Sequence, residues 1–579
     1  MLKHTGCRRL SRRSRKLLNL CMVVAAALLC RCSSLVAQCA PGEIPAAEEL
    51  RQLATEHRWQ DIVLRVEPWW SRSADLDFYY GTALARLDRW QEARNAFRAG
   101  LRLAPNDPKF SIELAGVAFK LKRYPEATYY LRRALKLAPQ DSYSNDFLAT
   151  LYFLQGNLEA ALKYWNRVDK PQVIEVRADP APKVAPALLD RAFAFSPASM
   201  LQLSEFLTTD TRVRSLGIFS RYQFDLRVRD DDKFDVWFRN RERDGFGTKW
   251  EGLLSLLRGL PFLSVNPEFY NFHHQAINLV SLVRLDPQKR RVFAQLSSPF
   301  ERSAKYRYDV VADLRDENWA LRNSFEGPAP TLGRLNLRRE ALAFSLASFT
   351  SGRWRWSASV EVSHRDFRSM VPGIVLTPEL LAKGYQLKQT LQLDAELWRL
   401  PEKRFTLEGE VSTQVARLWS QPQKSFEQLQ ASLEWHWFPQ AVGDDYETRQ
   451  QFRAGKTFGT VPFDELFMLG LERDNDLPLR AHIGTRDGLK GSAPLGRDYF
   501  LSNWEADKNV YGNGILTLKL GPFLDTGKIT DSSPTLGSHE WLWDLGAQAK
   551  LRILGTGLVF SYGKDLRSGN NAFYLAALR

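Results

Sequence analysis

From Ile277 onward, apolar and polar residues alternate with a period of two. Trp354, Trp356, Ala358, Val360 and Val362 are set against Arg353, Arg355, Ser357, Ser359 and Glu361. Leu429, Ala431, Leu433, Trp435 and Trp437 are set against Gln428, Gln430, Ser432 and Glu434. Successive residues of a strand point to opposite sides, so each run predicts a strand with one dry and one wet face. Residues 250–579 have room for about 16 such strands at roughly 20 residues per strand and connection. A helix-like stretch, Trp250–Leu260, leads into them. The dry faces can be buried against one another in a soluble sandwich or barrel. They can also face lipid, with the wet faces lining a lumen. A soluble sheet needs cover, and this region predicts almost no helix, which favours a transmembrane antiparallel β-barrel.

The pattern between residues 45 and 170 has helical spacing and an internal period of 34. Ala93, Ala127 and Ala161 repeat at that interval, as do Trp90, Tyr124 and Leu158, and Pro105 and Pro139. Each unit reads as a helical hairpin. A small residue (Gly81, Ala115, Ala149) lets the first helix approach the second, and the prolines separate the units. These units resemble tetratricopeptide repeats, with a partial unit around Leu50–Trp70. The resemblance implies an all-α solenoid with a concave surface for peptides or partner proteins. Aromatic side chains packing only between helices would fit the same pattern.

Pro171 ends the repeats, and residues 172–243 read strand, helix, helix, strand, strand. Gln172–Arg177 is extended, Val184–Phe195 and Met200–Phe219 have helical spacing, and Tyr222, Phe224, Leu226 and Val228 alternate with polar neighbours. Asp230–Asp232 turns the chain and Phe234, Val236 and Phe238 alternate back. Such a hairpin has one dry face, which the two helices must cover. The order resembles a polypeptide-transport-associated (POTRA) domain, whose exposed strand edge pairs with extended segments.

The N-terminus alters the charge picture. Residues 1–40 hold all five cysteines, eight of the 80 basic side chains and none of the 66 acids. A basic run from Arg8 to Lys16, an apolar run from Leu17 to Leu29 and small residues near Ala37 read as a secretory signal peptide over 1–38. Without residues 1–40 the formal charge falls from +14 to +6, the difference between 72 and 66. Nucleic acid is therefore not an expected partner. An exported chain with at most Cys39 left does not rely on disulfides.

The most informative stretch is Phe463–Ile529. It is a long polar connection holding Leu479-Arg480-Ala481-His482, followed by strands with Asn503-Trp504-Glu505 and Phe523-Leu524-Asp525-Thr526-Gly527. Alone, it reads as a surface loop with a solvated arginine. With the POTRA-like module and strand array, it resembles the BamA/TamA superfamily of outer-membrane assembly barrels. Ala481 stands where the family usually has Gly, and the chain does not close on the usual aromatic residue. The resemblance implies that the loop enters the lumen and that Arg480 meets Asp525, with Glu505 beside it. Leu479, Ala481, His482, Phe523 and Gly527 complete the motif.

No phosphate loop or nucleophile elbow is present. His273-His274 lacks further ligands at metal spacing, and Asp230–Asp232 lacks that of a calcium loop. No cofactor and no enzymatic activity are expected; a lipid hydrolase is the enzymatic alternative. The expected function is insertion or translocation of client proteins at the bacterial outer membrane. The solenoid and POTRA-like domain would lie in the periplasm and bind clients or partner proteins. The alternative is a passive channel or structural barrel with a docking module.

Overall fold

The computed structural model describes residues 46–231, 233–246, 253, 259, 262–322, 330–420, 423–513, 515–531, 535–538, 540–553 and 556–578. The expected signal peptide over 1–38, all five cysteines, most of the Trp250–Leu260 helix-like stretch, Asp232 and Arg579 lie outside the described residues. Two compact units divide between Leu148 and Ala149.

The first unit is helical. Ala74–Arg86 pairs with Trp90–Leu103, and Pro108–Lys120 with Tyr124–Leu137. Ser73 accepts from the Leu76 N–H, and Asp107 accepts from the Lys109 N–H with Pro108 opening its helix. These caps satisfy N–H groups left over at a helix start. Gly81 is small for a steric reason: a Cβ there would lie 2.7 Å from the Phe97 ring. Ala93, Ala115 and Ala127 are completely buried. Pro105 and Pro139 fall in the connections between helices.

The second unit takes in the end of the helix Ser142–Leu154, where Ala149 is fully buried, and the last repeat helix, Leu158–Trp165, in which Ala161 is fully buried. A four-stranded sheet follows in the order Ser199–Met200, Gln172–Asp179, Phe234–Glu242, Phe219–Val228. Its central pair is parallel and the Phe219–Val228 hairpin partner is antiparallel. Helices Pro186–Ala192 and Leu203–Leu216 bury Leu188, Leu189, Leu207 and Val213 with Phe224, Leu226, Val236 and Phe238. Met200 is not helical as the spacing suggests. It pairs with Gln172, and the helix starts at Leu203 with a Gln202–Glu205 capping box.

The described residues between 264 and 578 form a closed barrel whose long strands pair antiparallel. Among the described residues its ring holds sixteen strand segments, plus two short ones from the connection 460–497. Leu342, Val360, Val362, Leu391, Leu393, Val411, Val415, Leu429 and Leu433 are exposed on the outside. Trp354, Trp398, Trp437 and Tyr446 lie exposed near one end of their strands, and Tyr385, Trp419, Trp541 and Trp543 near the other. An apolar band between two aromatic girdles is what a lipid-spanning wall requires.

The small domain and last repeat helix dock on the barrel's turns. Arg212 donates to the carbonyls of Phe349 (3.1 Å) and Thr350 (3.3 Å). Asn157 donates to the Pro401 carbonyl (2.8 Å), Lys163 and Tyr164 reach Glu402 (2.7 and 3.0 Å), and Arg399 holds Glu159 at 2.8 Å.

Candidate functional site

Four consecutive strands, Asp498–Gly512, Leu516–Thr530, Leu542–Ile553 and Thr556–Asp565, build one side of the lumen. Their register places Asn503, Asp525, Asp544 and Asp565 in a single row of directly opposed residues. Directly opposed residues share a face, so three carboxylates stand side by side on the inner wall. All three are buried. Like charges so placed repel, and burial removes the water that would screen them. The row calls for cations.

The connection 460–497 supplies them by folding into the lumen. Arg480 Nε donates to Asp525 Oδ2 (2.8 Å) and Nη2 to Asp525 Oδ1 (2.6 Å), a bidentate fork. Nη1 reaches Gln548 Oε1 (2.9 Å) and Glu505 Oε2 (3.2 Å), and the Arg480 backbone N–H also donates to Asp525 (3.1 Å). The Ala481 N–H donates to Asp544 (2.6 Å). His482 Nδ1 lies 3.1 Å from Asp544, and its Nε2 lies 3.7 Å from Asp565. Asn503 closes the row, donating to Asp525 (2.8 Å) and to the Pro478 carbonyl (2.9 Å).

The adjacent row makes the space. Glu505, Phe523, Gly546 and Gly563 oppose one another on the same four strands. The Arg480 guanidinium stacks 3.9 Å from the centre of the Phe523 ring, a cation–π contact worth about 2 kcal/mol when desolvated. A Cβ on Gly546 would overlap that ring, and one on Gly563 would lie 2.6 Å from the Arg480 carbonyl oxygen. The two glycines let ring and loop backbone lie against the wall.

Leu479 is fully buried with Leu469, Leu477, Tyr499, Leu501, Ile529 and Leu542. Gly527 lies against Leu469 and Leu501. Ala481 sits where its N–H faces Asp544, and no positive backbone φ occurs at that position. Arg480, Asp525, Glu505, His482 and Phe523 therefore meet at one place. The surface-loop alternative fails, because Arg480 is only 8% exposed.

Sequence reasoning missed Asp544, Asp565, Gln548, Gly546 and Gly563. A signal was present: Asp544-Leu545-Gly546 repeats the Asp-x-Gly spacing of Asp525–Gly527, and Gly563-Lys564-Asp565 reverses it. His482, Asp544 and Asp565 bring one ligand atom each within 4.8 Å of one another. The two imidazole nitrogens face different carboxylates, an arrangement that suits a protonated ring bridging two anions. His273 and His274 occupy a tight turn, both with positive φ.

No curated protein matches this chain. Among solved structures it is similar to BamA from Haemophilus ducreyi lacking POTRA domains 1–3, at 12% identity and a TM-score of 0.41, covering 70% of this chain and 83% of that one. It is similar to CdiB from Escherichia coli at 14% identity and a TM-score of 0.45, covering 71% and 75%. CdiB from Acinetobacter baumannii follows at 9% identity and a TM-score of 0.41, covering 71% and 78%. Residues 80–142 match the family model of the tetratricopeptide repeat.

Proposed function

We propose that this chain is an outer-membrane barrel that assists insertion or translocation of client polypeptides, its solenoid and POTRA-like domain facing the periplasm. The observation that carries the reading is the buried Arg480–Asp525 fork between an inserted loop and the inner wall. It is the contact implied by the motif resemblance to the BamA/TamA superfamily. The docking of the small domain and last repeat helix on the barrel's turns supports the same reading, because modules that bound clients there would stand beside one mouth of the lumen. The Phe219–Val228 strand lies at the edge of its sheet. An edge strand offers unpaired backbone groups to an extended client segment, and pairing at a barrel's edge would satisfy such groups as the segment enters lipid.

A passive pore is disfavoured by the inserted loop, which blocks part of the lumen. The test is depletion followed by an inventory of outer-membrane and surface proteins. Loss of a defined subset supports assembly; an unchanged inventory together with steady single-channel conductance would overturn it.

A further inference from the structure

The wall opposite the acidic row carries its electrostatic mirror image. Arg284 opposes Arg291, Arg291 opposes Arg315, Arg315 opposes Arg339 and Arg339 opposes Arg365. Five arginines thus share one inward row across five consecutive strands, from Ile277–Leu285 to Trp354–Val371. Arg284 and Arg365 are only 3% and 1% exposed. Such a row is repulsive unless anions are threaded through it.

The wall supplies some of those anions. Asp313 binds Arg291 (2.8 Å) and Arg315 (2.5 Å), and Glu361 pairs with Arg339. The inserted connection supplies others. Asp474 meets Arg284 at 3.1 Å, contacts Arg291, and lies 3.5 Å from Lys490, which itself binds Glu317 at 2.7 Å. Asp464 meets Arg365 at 2.9 Å and Arg339 at 3.4 Å. Glu465 lies 3.3 Å from each of Arg339, Arg365 and Lys388, and accepts from Gln386 at 2.8 Å. Along the connection Asp464, Glu465 and Asp474 meet the arginine row and precede Arg480 and His482, which meet the aspartate row; Lys490 returns to the arginine side.

We propose that Glu465 and Asp474 are positioning residues that form a second anchor of opposite sign, and that the loop is a strap held from both walls of a bipolar lumen. Each anchor holds the strap when the other is broken, so releasing it requires loss of both. The strap then acts as a gate with two latches, and the arginine row is the half that the Arg480 motif does not reveal. This goes beyond the assembly reading and does not depend on it.

The test uses the full chain, purified in detergent and reconstituted in liposomes. A Ser492→Cys probe, 2% exposed in the native fold, is placed in a background with Cys7, Cys21, Cys30, Cys32 and Cys39 replaced by Ser and labelled with a membrane-impermeant maleimide. Three variants are compared: Arg480→Ala, Glu465→Gln with Asp474→Asn, and all three together. Labelling rate follows the fraction of molecules with the strap released. Each single-anchor variant should label within a few-fold of the parent, whereas the combined variant should label at least about tenfold faster and raise single-channel conductance. Glu465→Met with Arg365→Met removes both partners of an ion pair and leaves Asp464 with Arg339 and Lys388 with Glu361. In the Arg480→Ala background, that pair combined with Asp474→Leu and Arg284→Met should reproduce the release if the carboxylate variants fail to fold. If removing the acidic anchor leaves labelling and conductance unchanged in the Arg480→Ala background, the proposal is overturned. Full release by Arg480→Ala alone also overturns it. Neither readout involves a client, so the assembly reading stands or falls separately.

Discussion

Asp525 and Asp544 stand directly opposite each other on neighbouring strands, both fully buried, and share a single incoming tripeptide. Arg480 takes Asp525 through its side chain and backbone, while the Ala481 N–H and His482 ring take Asp544. The wall is thereby unfavourable without the loop, and the loop is unfavourable without the wall. That mutual dependence ties the position of residues 478–482 to the closing strands.

Arg480→Ala leaves Asp525 buried with Asn503 as its remaining side-chain donor. Removing one partner of a buried ion pair costs about 3–5 kcal/mol. The barrel's thermal midpoint should fall, with client assembly lost before barrel abundance. Arg480→Lys should recover little, because one ammonium cannot replace a fork that spans Asp525, Gln548 and Glu505. Arg480→Met with Asp525→Leu should regain most of the stability without regaining assembly. Thermal scans and an outer-membrane inventory on the same strains would separate the two effects.

Gly563→Ala tests the close approach of the loop backbone to the wall. Its new methyl would stand 2.6 Å from the Arg480 carbonyl oxygen, a backbone atom that cannot swing aside. The loop must lift, stretching the Ala481–Asp544 hydrogen bond, at a cost of about 1–3 kcal/mol by the usual scale of overpacking. Faster hydrogen exchange at residues 479–483, with unchanged exchange in the strands around Val411, is the expected signature. Uniform protection would show that the loop does not depend on that glycine.

The docked helix Leu158–Trp165 should respond to acid through Glu402, which lies in a turn outside the spanning strands. Burial pushes the Glu402 carboxyl up, but the hydrogen bond and charge of Lys163, with Tyr164, outweigh it and hold the group below its ordinary value of 4.5. A carboxylate with a depressed folded value stabilises the docked form above the unfolded value and loses that contribution as pH falls through the folded one. Exchange protection of Leu158–Trp165 should therefore be flat from neutral pH to about 5 and decline below about 4.5. Glu402→Gln should weaken docking at neutral pH and flatten the acid limb.

Much of this architecture was legible because its signals are local. Period-two runs such as Leu429–Trp437 state which face is dry, and the 34-residue interval of Ala93, Ala127 and Ala161 states a solenoid. The Arg480–Asp525 pairing was reached through the motif resemblance, not through any local signal. What stayed hidden depends on register. Nothing in a single strand says that Arg315 opposes Arg339, or that Asp544 opposes Asp525, since a shift of one residue would send each outward. Asp464, Glu465 and Asp474 drew no reading from the sequence for the same reason: their partners come from strands more than seventy residues away in sequence. The docking of Lys163 on Glu402 was equally invisible, being a contact between a helix and a turn with no shared pattern.

The solenoid offers a check that is independent of the barrel. Gly100 lies in the helix Trp90–Leu103, and any Cβ there would overlap the ring of Phe110, which is fully buried on the next repeat. Gly100→Leu must displace that ring, and the displaced volume has nowhere to go because Leu101 and Leu114 are also buried nearby. Alanine at this position gains helix propensity worth up to about 1 kcal/mol, so the sign of Gly100→Ala reports whether propensity or crowding wins. Overlap with an aromatic ring in a packed core costs more, about 1–3 kcal/mol. Gly100→Ala should therefore lower the melting point of the helical unit, and Gly100→Leu should lower it further. Both variants should leave the Arg480 contacts and the heat-modifiable gel mobility of the barrel intact, because folding of the strands does not draw on this ring. A rise in the melting point for Gly100→Ala would show that the ring yields, and that the glycine is there for some reason other than close packing.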